Sequence, residues 1–284
     1  MSDFSTPLDA EQIEANFADI APAMTLAEAA AEANRCLYCY DAPCMHACPT
    51  HIDVSSFIKK IATGNLIGSA RVIFDANPIG ATCARVCPVE VLCEGACVEK
   101  TLLQKPIEIG RLQRYATDRG LARDKQLFEK GESNGLSIGI IGSGPAGLSC
   151  AAYLARLGYE VTIYDRKPKA GGLNTYGMAE YKMTQAVSEA EVEQIAKLGV
   201  KFILHTEITA DIDGEPEVLG EINRVSFALL REWHDAVFLG AGLGPTNRLN
   251  IPGEEFNGVI DALAFIAQVK TRDWTNIPLG QDVV

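Results

Sequence analysis

Eight of the nine cysteines fall between Cys36 and Cys97, and their spacing is the strongest chemical signal in the chain. The first run is Cys36-x2-Cys39-x4-Cys44-x3-Cys48-Pro49, and the second is Cys87-x5-Cys93-x3-Cys97, with Pro88 after Cys87. Short spacings on loops that contain proline let several sulfurs converge, and a cubane [4Fe–4S] cluster takes four protein ligands, normally thiolates. In bacterial ferredoxin runs the cysteine before the proline serves the other cluster. By that logic Cys48 leaves the first trio and joins the second group. Zinc also takes four thiolates, but the paired Cys-Pro elements and the crossed spacing favour two clusters. Cys83 is left over, four residues before Cys87. It is expected to be a buried bystander, with an alternative-ligand role as the competing reading. Cys150 has no second cysteine at a redox spacing and is expected to pack in a core. The histidines (His46, His51, His205 and His234) are scattered and are assigned no role.

The second chemical signal is Gly142-x-Gly144-x-x-Gly147, which follows the apolar run SIGII and opens a helical pattern through Pro145 and Ala146. That is the context a dinucleotide fingerprint requires: a tight turn, room for a pyrophosphate, and close helix–strand packing. The helix start then offers free N–H groups and a positive dipole end to phosphate. Asp165 lies about 20 residues further on, at the end of the next strand, where an acid meets ribose hydroxyls. Gly171, Gly172 and Leu173 follow closely.

These residues need elements to position them. Thr25 with Glu28 matches a capping box ahead of LAEAAAEANR, a helix that would deliver Cys36 at its end. Residues 36–50 and 83–97 are expected as loops, with helical segments at IDVSSFIKKIATG, GSARVIFDAN and 107–120. Residues 126–135 are polar and glycine-rich and are expected as a linker between a helical domain at 1–125 and a second domain at 136–284. In the second domain SIGIIG, AGLSCAAYLARLG, EVTIYD, SEAEVEQIAKLG and VKFILH alternate strand and helix. That alternation predicts a parallel sheet with covering helices.

Bulk properties agree with this division. With 284 residues, 48% hydrophobic and 22% charged, the chain can build buried cores. A formal charge of −12 argues against nucleic-acid binding, which needs a basic face. The start MSDFSTPLDAEQIEANF has no charged-then-apolar signal pattern, and the apolar stretch 136–158 is broken by glycines and Pro145. A cytoplasmic protein without a membrane span is expected, and such a setting favours metal or catalytic cysteines over disulfides.

The stretches CLYCYDAPCMHACPTHIDVSSFI, NPIGATCARVCPVEVLCEGAC and PIEIGRLQRYAT resemble the amino-terminal iron–sulfur domain of dihydropyrimidine dehydrogenase and its bacterial small subunit. The glutamate synthase small subunit has a related domain. The resemblance implies that Cys36, Cys39, Cys44 and Cys97 hold one [4Fe–4S] cluster. It implies that Cys48, Cys87 and Cys93 hold the other, with Gln113 as the fourth ligand. A glutamate is typical there in the glutamate synthase branch, so Gln113 tips the choice to the pyrimidine branch. The likeness continues through IIGSGPAGLSCAAYLARLGYEVTIYDRKPKAGG, YGMAEYKM and AVFLGAGLGPTNRLNIPGE. It implies FAD on Gly142, Gly144, Pro145, Ala146, Gly147, Asp165, Gly171, Gly172 and Leu173. Two departures stand out. Asp165 replaces the usual Glu, and Tyr181 and Lys182 replace an aromatic and an arginine.

The implied fold is an α-helical amino-terminal bis-[4Fe–4S] domain followed by an α/β Rossmann-like FAD-binding domain. The implied function is electron transfer from NAD(P)H through FAD and two clusters to an FMN-containing partner subunit, within a hetero-oligomer that reduces uracil or thymine. A glutamate synthase donor subunit and a non-catalytic iron–sulfur scaffold are the competing readings. Relatives continue past the equivalent of IPLGQDVV into a second glycine loop for the nicotinamide cofactor, so the FAD fold is expected to be incomplete here.

Overall fold

The computed structural model describes residues 11, 15, 18–123, 126–210, 212 and 216–271. The amino-terminal part is helical. Helix α1 (Leu26–Arg35) opens on the expected capping box: Thr25 Oγ1 accepts from the Glu28 N–H at 3.2 Å, and Glu28 Oε2 accepts from the Thr25 N–H at 2.7 Å. Such reciprocal bonds satisfy two otherwise unpaired donors. The helix ends at Cys36, whose extended backbone turns the chain into the first cysteine segment. That segment is a loop except for one turn, α2 (Pro43–His46), with Pro43 at its first position. Proline suits that position because its missing N–H is not needed there.

Helix α3 (Val54–Ala62) is capped by Asp53, which accepts from the Ser56 N–H at 2.9 Å, and buries Val54, Phe57, Ile58 and Ile61 along one face. Helix α4 (Leu66–Ala76) is capped by Asn65 and buries Ala70, Ile73 and Phe74. The segment expected as a loop from residue 83 begins instead as helix α5 (Gly80–Val86), so Cys83 is helical and the loop starts at Cys87. The reason is tertiary. α5 lacks a side-chain cap of its own, and its first amides bond to Glu191 from the second domain. A short turn, α6 (Val98–Leu102), follows Cys97, and α7 (Ile109–Leu121) closes the domain. Phe57, Ile58, Ile73, Leu112 and Tyr115 form its core, each essentially inaccessible.

Residues 126–135, expected as a linker, lie against the second domain. Leu127 is buried, and the Gly131 and Asn134 amides donate to the carbonyls of Ala155 and Gly158 at 3.0 and 3.1 Å. Beyond them stand β1 (Ser137–Ile141), α8 (Pro145–Arg156), β2 (Glu160–Tyr164), the turn α9 (Leu173–Tyr176), α10 (Gln185–Ala196) and β3 (Lys201–Ile203). Next come β4 (Thr206–Thr209), β5 (Glu217–Leu219), β6 (Ile222–Ser226), α11 (Phe227–Trp233), β7 (Ala236–Leu239) and α12 (Ala262–Thr271).

The main sheet is parallel, in the order β3-β2-β1-β7, with Ile140 opposite Ile163 on one side and Phe238 on the other. Ile140 and Ile163 are fully buried with Leu148, Ala151 and Ile195. Central strands of a parallel sheet are covered on both faces, which is why SIGII reads as a continuous apolar run. A second, mixed sheet in the order β4-β6-β5 was not foreseen. The terminal segment IPLGQDVV, read as leading to a further glycine loop, lies outside the described residues.

Candidate cluster and nucleotide sites

All nine cysteines are free thiols. Cys36, Cys39, Cys44 and Cys97 line one recess of about 370 Å³, walled by Pro43, Val54, Ile58, Ile107 and Ile109. Cys48, Cys87, Cys93 and Gln113 line a second of about 340 Å³, with Ile52, Val89 and Leu92. Val54 and Ile109 border both recesses, so the two stand back to back across one layer of aliphatic side chains. Cys83, expected as a bystander, is on the second wall.

The local fold explains the convergence. Cys36 ends α1, Cys87 ends α5 and Cys97 precedes α6, each with extended backbone where the chain leaves or enters a helix. Gln113 faces inward from the middle of α7, where it is buried and donates Nε2–H to the Gly80 carbonyl at 2.8 Å. That bond holds the Gln113 amide on the wall of the second recess.

Burial pushes the thiols of Cys44, Cys83 and Cys93 up to about 12. It also raises Cys36 and Cys87. For Cys44 the neighbouring thiolates of Cys36 and Cys97 add to the rise. Several thiols in one apolar pocket resist ionisation until a cation compensates them, and a metal centre inverts that logic. Among the described residues, no three His, Cys, Asp or Glu side chains gather closely enough around one point to hold a single metal ion. A cubane offers each thiolate a different iron, so its ligands stand further apart than those of one tetrahedral zinc. The donor set and the apolar walls fit two iron–sulfur clusters.

At the nucleotide site β1 runs into Gly142, with φ +96°, and the chain turns into α8 at Gly144. A Cβ on Gly147 would sit 1.9 Å from the Gly142 carbonyl oxygen, so only glycine lets helix and turn approach this closely. A Cβ on Gly172 would lie 2.6 Å from Gly144 Cα, which places the glycine pair directly beside the fingerprint turn. Pro145, half-buried, and Ala146, exposed, begin the first turn of α8, and Leu173 begins α9 with 53% of its surface exposed. The N–H groups of that first turn are the ones a helix cannot satisfy internally. Bare glycine backbone facing a helix start fits a pyrophosphate.

Ser143, not singled out by the sequence, ties these parts together. Asp165 Oδ2 accepts from the Ser143 N–H at 2.7 Å and from its hydroxyl at 2.6 Å. The Gly171 N–H donates to the Ser143 carbonyl at 3.0 Å. Ser143 occupies a variable position of the motif, so no pattern marks it. Asp165 Oδ1 accepts from the Lys167 N–H at 2.9 Å. Ionised oxygens accept more than one bond, so Oδ1 retains capacity for a hydroxyl. Cys150 packs against the sheet core, as expected.

Residues 110–273 match the family described as pyridine nucleotide-disulphide oxidoreductase. The chain belongs to that family. Residues 13–125 match the family described as dihydropyrimidine dehydrogenase domain II, 4Fe-4S cluster. The two matches agree with the expected order of a cluster domain followed by a nucleotide-binding oxidoreductase domain. A Salmonella typhi protein named NAD-dependent dihydropyrimidine dehydrogenase subunit PreT homolog is 35% identical over 90% of this chain and 58% of its own length. The Escherichia coli K12 subunit PreT is 40% identical over 67% of this chain and 46% of its own length. A putative oxidoreductase of the same bacterium, UacF, is 33% identical over 97% of this chain and 41% of its own length. The resemblance drawn from the motifs is borne out in these relatives, of whose lengths the chain spans between 41% and 58%. Among the described residues no helix is long and apolar enough to cross a membrane.

Proposed function

We propose that this chain is the electron-conducting portion of a cytoplasmic dihydropyrimidine dehydrogenase-type oxidoreductase. The clusters and flavin, when bound, supply one- and two-electron chemistry between NAD(P)H and an FMN-containing partner subunit that reduces uracil or thymine. The observation that carries this reading is the back-to-back pair of thiol-lined recesses joined to a fingerprint fold, in a member of an oxidoreductase family with relatives named as dehydrogenase subunits.

In this reading Cys36, Cys39, Cys44 and Cys97 hold one [4Fe–4S] cluster, and Cys48, Cys87, Cys93 and Gln113 hold the other. Aliphatic walls from Ile52, Val54, Ile58 and Ile109 exclude water from both and separate them by one side-chain layer. Gly142, Gly144 and Gly147 bring backbone up to the FAD pyrophosphate, with Pro145 and Ala146 offering the first turn of α8. Gly171, Gly172 and Leu173 close over it, and Asp165 Oδ1 receives a ribose hydroxyl.

Cys83 supplies a second reading of the fourth ligand, because its thiol shares the wall with Gln113 and lies close enough to Gln113 and Cys87 for both to bear on its ionisation. Gln113 is preferred, since its amide is already oriented by Gly80. The decisive experiment is anaerobic preparation with iron and acid-labile sulfide analysis and electron paramagnetic resonance of the reduced protein. Two cluster signals are expected, one altered in Gln113→Ala and neither altered in Cys83→Ala. Zinc or cystine in place of iron and sulfide would overturn the proposal.

A further inference from the structure

Glu191 is a carboxylate the cluster and nucleotide sites do not account for. It lies on α10 of the second domain, is 1% exposed, and reaches across to the start of α5 in the cluster domain. Its Oε1 accepts from the Ala81 N–H at 2.8 Å and the Thr82 N–H at 3.0 Å, and its Oε2 accepts from the Thr82 hydroxyl. These are donors that α5 leaves unpaired, since no side chain of the cluster domain caps it. The Thr82 hydroxyl oxygen in turn accepts from Asn174 Nδ2 at 3.1 Å, two residues after the Gly171-Gly172 pair. The hydroxyls of Thr175 and Ser188 bond at 2.7 Å, tying that same loop to α10.

Helix α5 is a short element with a large share in the second recess. Its first carbonyl, Gly80, holds the Gln113 amide at 2.8 Å. It carries Cys83 and ends at Cys87. Whatever fixes its first turn therefore fixes one proposed ligand directly and orients another. The bonds to the Ala81 and Thr82 amides and to the Thr82 hydroxyl come from the domain that contains the nucleotide fingerprint, and the Asn174 bond begins beside the glycine pair.

We propose that Glu191 is a positioning residue for the second cluster: it locks α5 to the nucleotide-binding domain so that the Cys87 and Gln113 donors keep a set place relative to the Gly171-Gly172 loop. The role is geometric and needs an acceptor at Oε1, which an amide oxygen also supplies. It rests on the cluster reading above.

The test uses the 284-residue chain prepared anaerobically, with Glu191→Ala, Glu191→Gln and Thr82→Val. Electron paramagnetic resonance of the photoreduced protein reads the two clusters separately. Glu191→Ala is expected to shift or broaden the signal that Gln113→Ala also alters, and to leave the signal lost in Cys44→Ser unchanged. Glu191→Gln is expected to restore a near wild-type line shape. Thr82→Val is close to isosteric and removes one bond to Glu191 and one to Asn174, so it is expected to give a smaller shift in the same signal. Should Glu191→Ala not fold, Thr82→Val decides. Wild-type line shapes in both variants, or equal disturbance of both clusters, would overturn the proposal. A wild-type preparation without iron and sulfide would instead overturn the cluster reading itself.

Discussion

Gln113 on α7 donates its side-chain N–H to the Gly80 carbonyl of α5 at 2.8 Å. A buried amide has two N–H donors and one acceptor oxygen to satisfy, and this bond commits one donor to backbone. The side chain is thereby held on the wall of the recess of Cys48, Cys87 and Cys93. Gln113→Ala is expected to cost about 1 kcal/mol through the lost bond. It is also expected to alter one cluster signal while the other stays as in the wild type. Gln113→Glu keeps the ligand oxygen and loses the donor to Gly80, so it should retain iron while lowering the melting temperature.

The first recess can be emptied on its own. Cys44 is half-buried among Cys36, Cys97 and apolar walls. Cys44→Ser is expected to lower bound iron and acid-labile sulfide by about half, the share of one of two clusters. Colorimetric iron and sulfide analysis of anaerobic protein reads this directly. Loss of all the iron would show that the two recesses do not load independently.

Gly147 is the most constrained point of the nucleotide site. A methyl group there would meet the Gly142 carbonyl oxygen at 1.9 Å, so α8 and the turn must separate. Overpacking of this kind costs roughly 1–3 kcal/mol or more. Gly147→Ala is expected to abolish retention of flavin, measured by absorbance after gel filtration, while both cluster signals persist.

Glu191 makes stability depend on pH in an unusual direction. Burial raises its carboxyl from 4.5 to about 7, against the bonds from Thr82 and Ala81 that lower it. The folded chain therefore keeps a proton that the unfolded chain has lost between those values. Its contribution is whole below about pH 4.5 and is lost as pH rises through about 7, after which it is flat. The swing is roughly 3 kcal/mol at about 1.4 kcal/mol per unit. Denaturant unfolding from pH 5 to 8 should show this fall in the wild type and a flatter profile in Glu191→Gln. Equal slopes in the two proteins would contradict it.

Ile140 tests the sheet core. It is fully buried at the centre of β1 between Ile163 and Phe238. Ile140→Ala should destabilise by about 2–5 kcal/mol, read as a lower denaturant midpoint with an unchanged cluster content.

Much of this protein is determined by local sequence. The capping box at Thr25, the apolar strand before Gly142 and the helix through Gln113 each depend on residues within a few positions of one another, so pattern alone predicts them. The placing of Cys48 with the second group followed from the Cys-Pro spacing, while the placing of Cys97 with Cys36, Cys39 and Cys44 followed from the family resemblance and not from spacing. Tertiary structure decided the rest. Helix α5 exists where a loop was expected because its first amides find their acceptor at Glu191, 110 residues away. That pairing leaves no trace in SEAEVEQIAKLG, where Glu191 looks like any other acid on a helix. Cys83 lies on the wall of the second recess for the same reason, since it is carried by that helix. Ser143 became the junction of Asp165 and Gly171 only once two strand ends and a loop met. Periodicity reports which face of an element is apolar, but the partner that satisfies a buried polar group is chosen by packing in three dimensions.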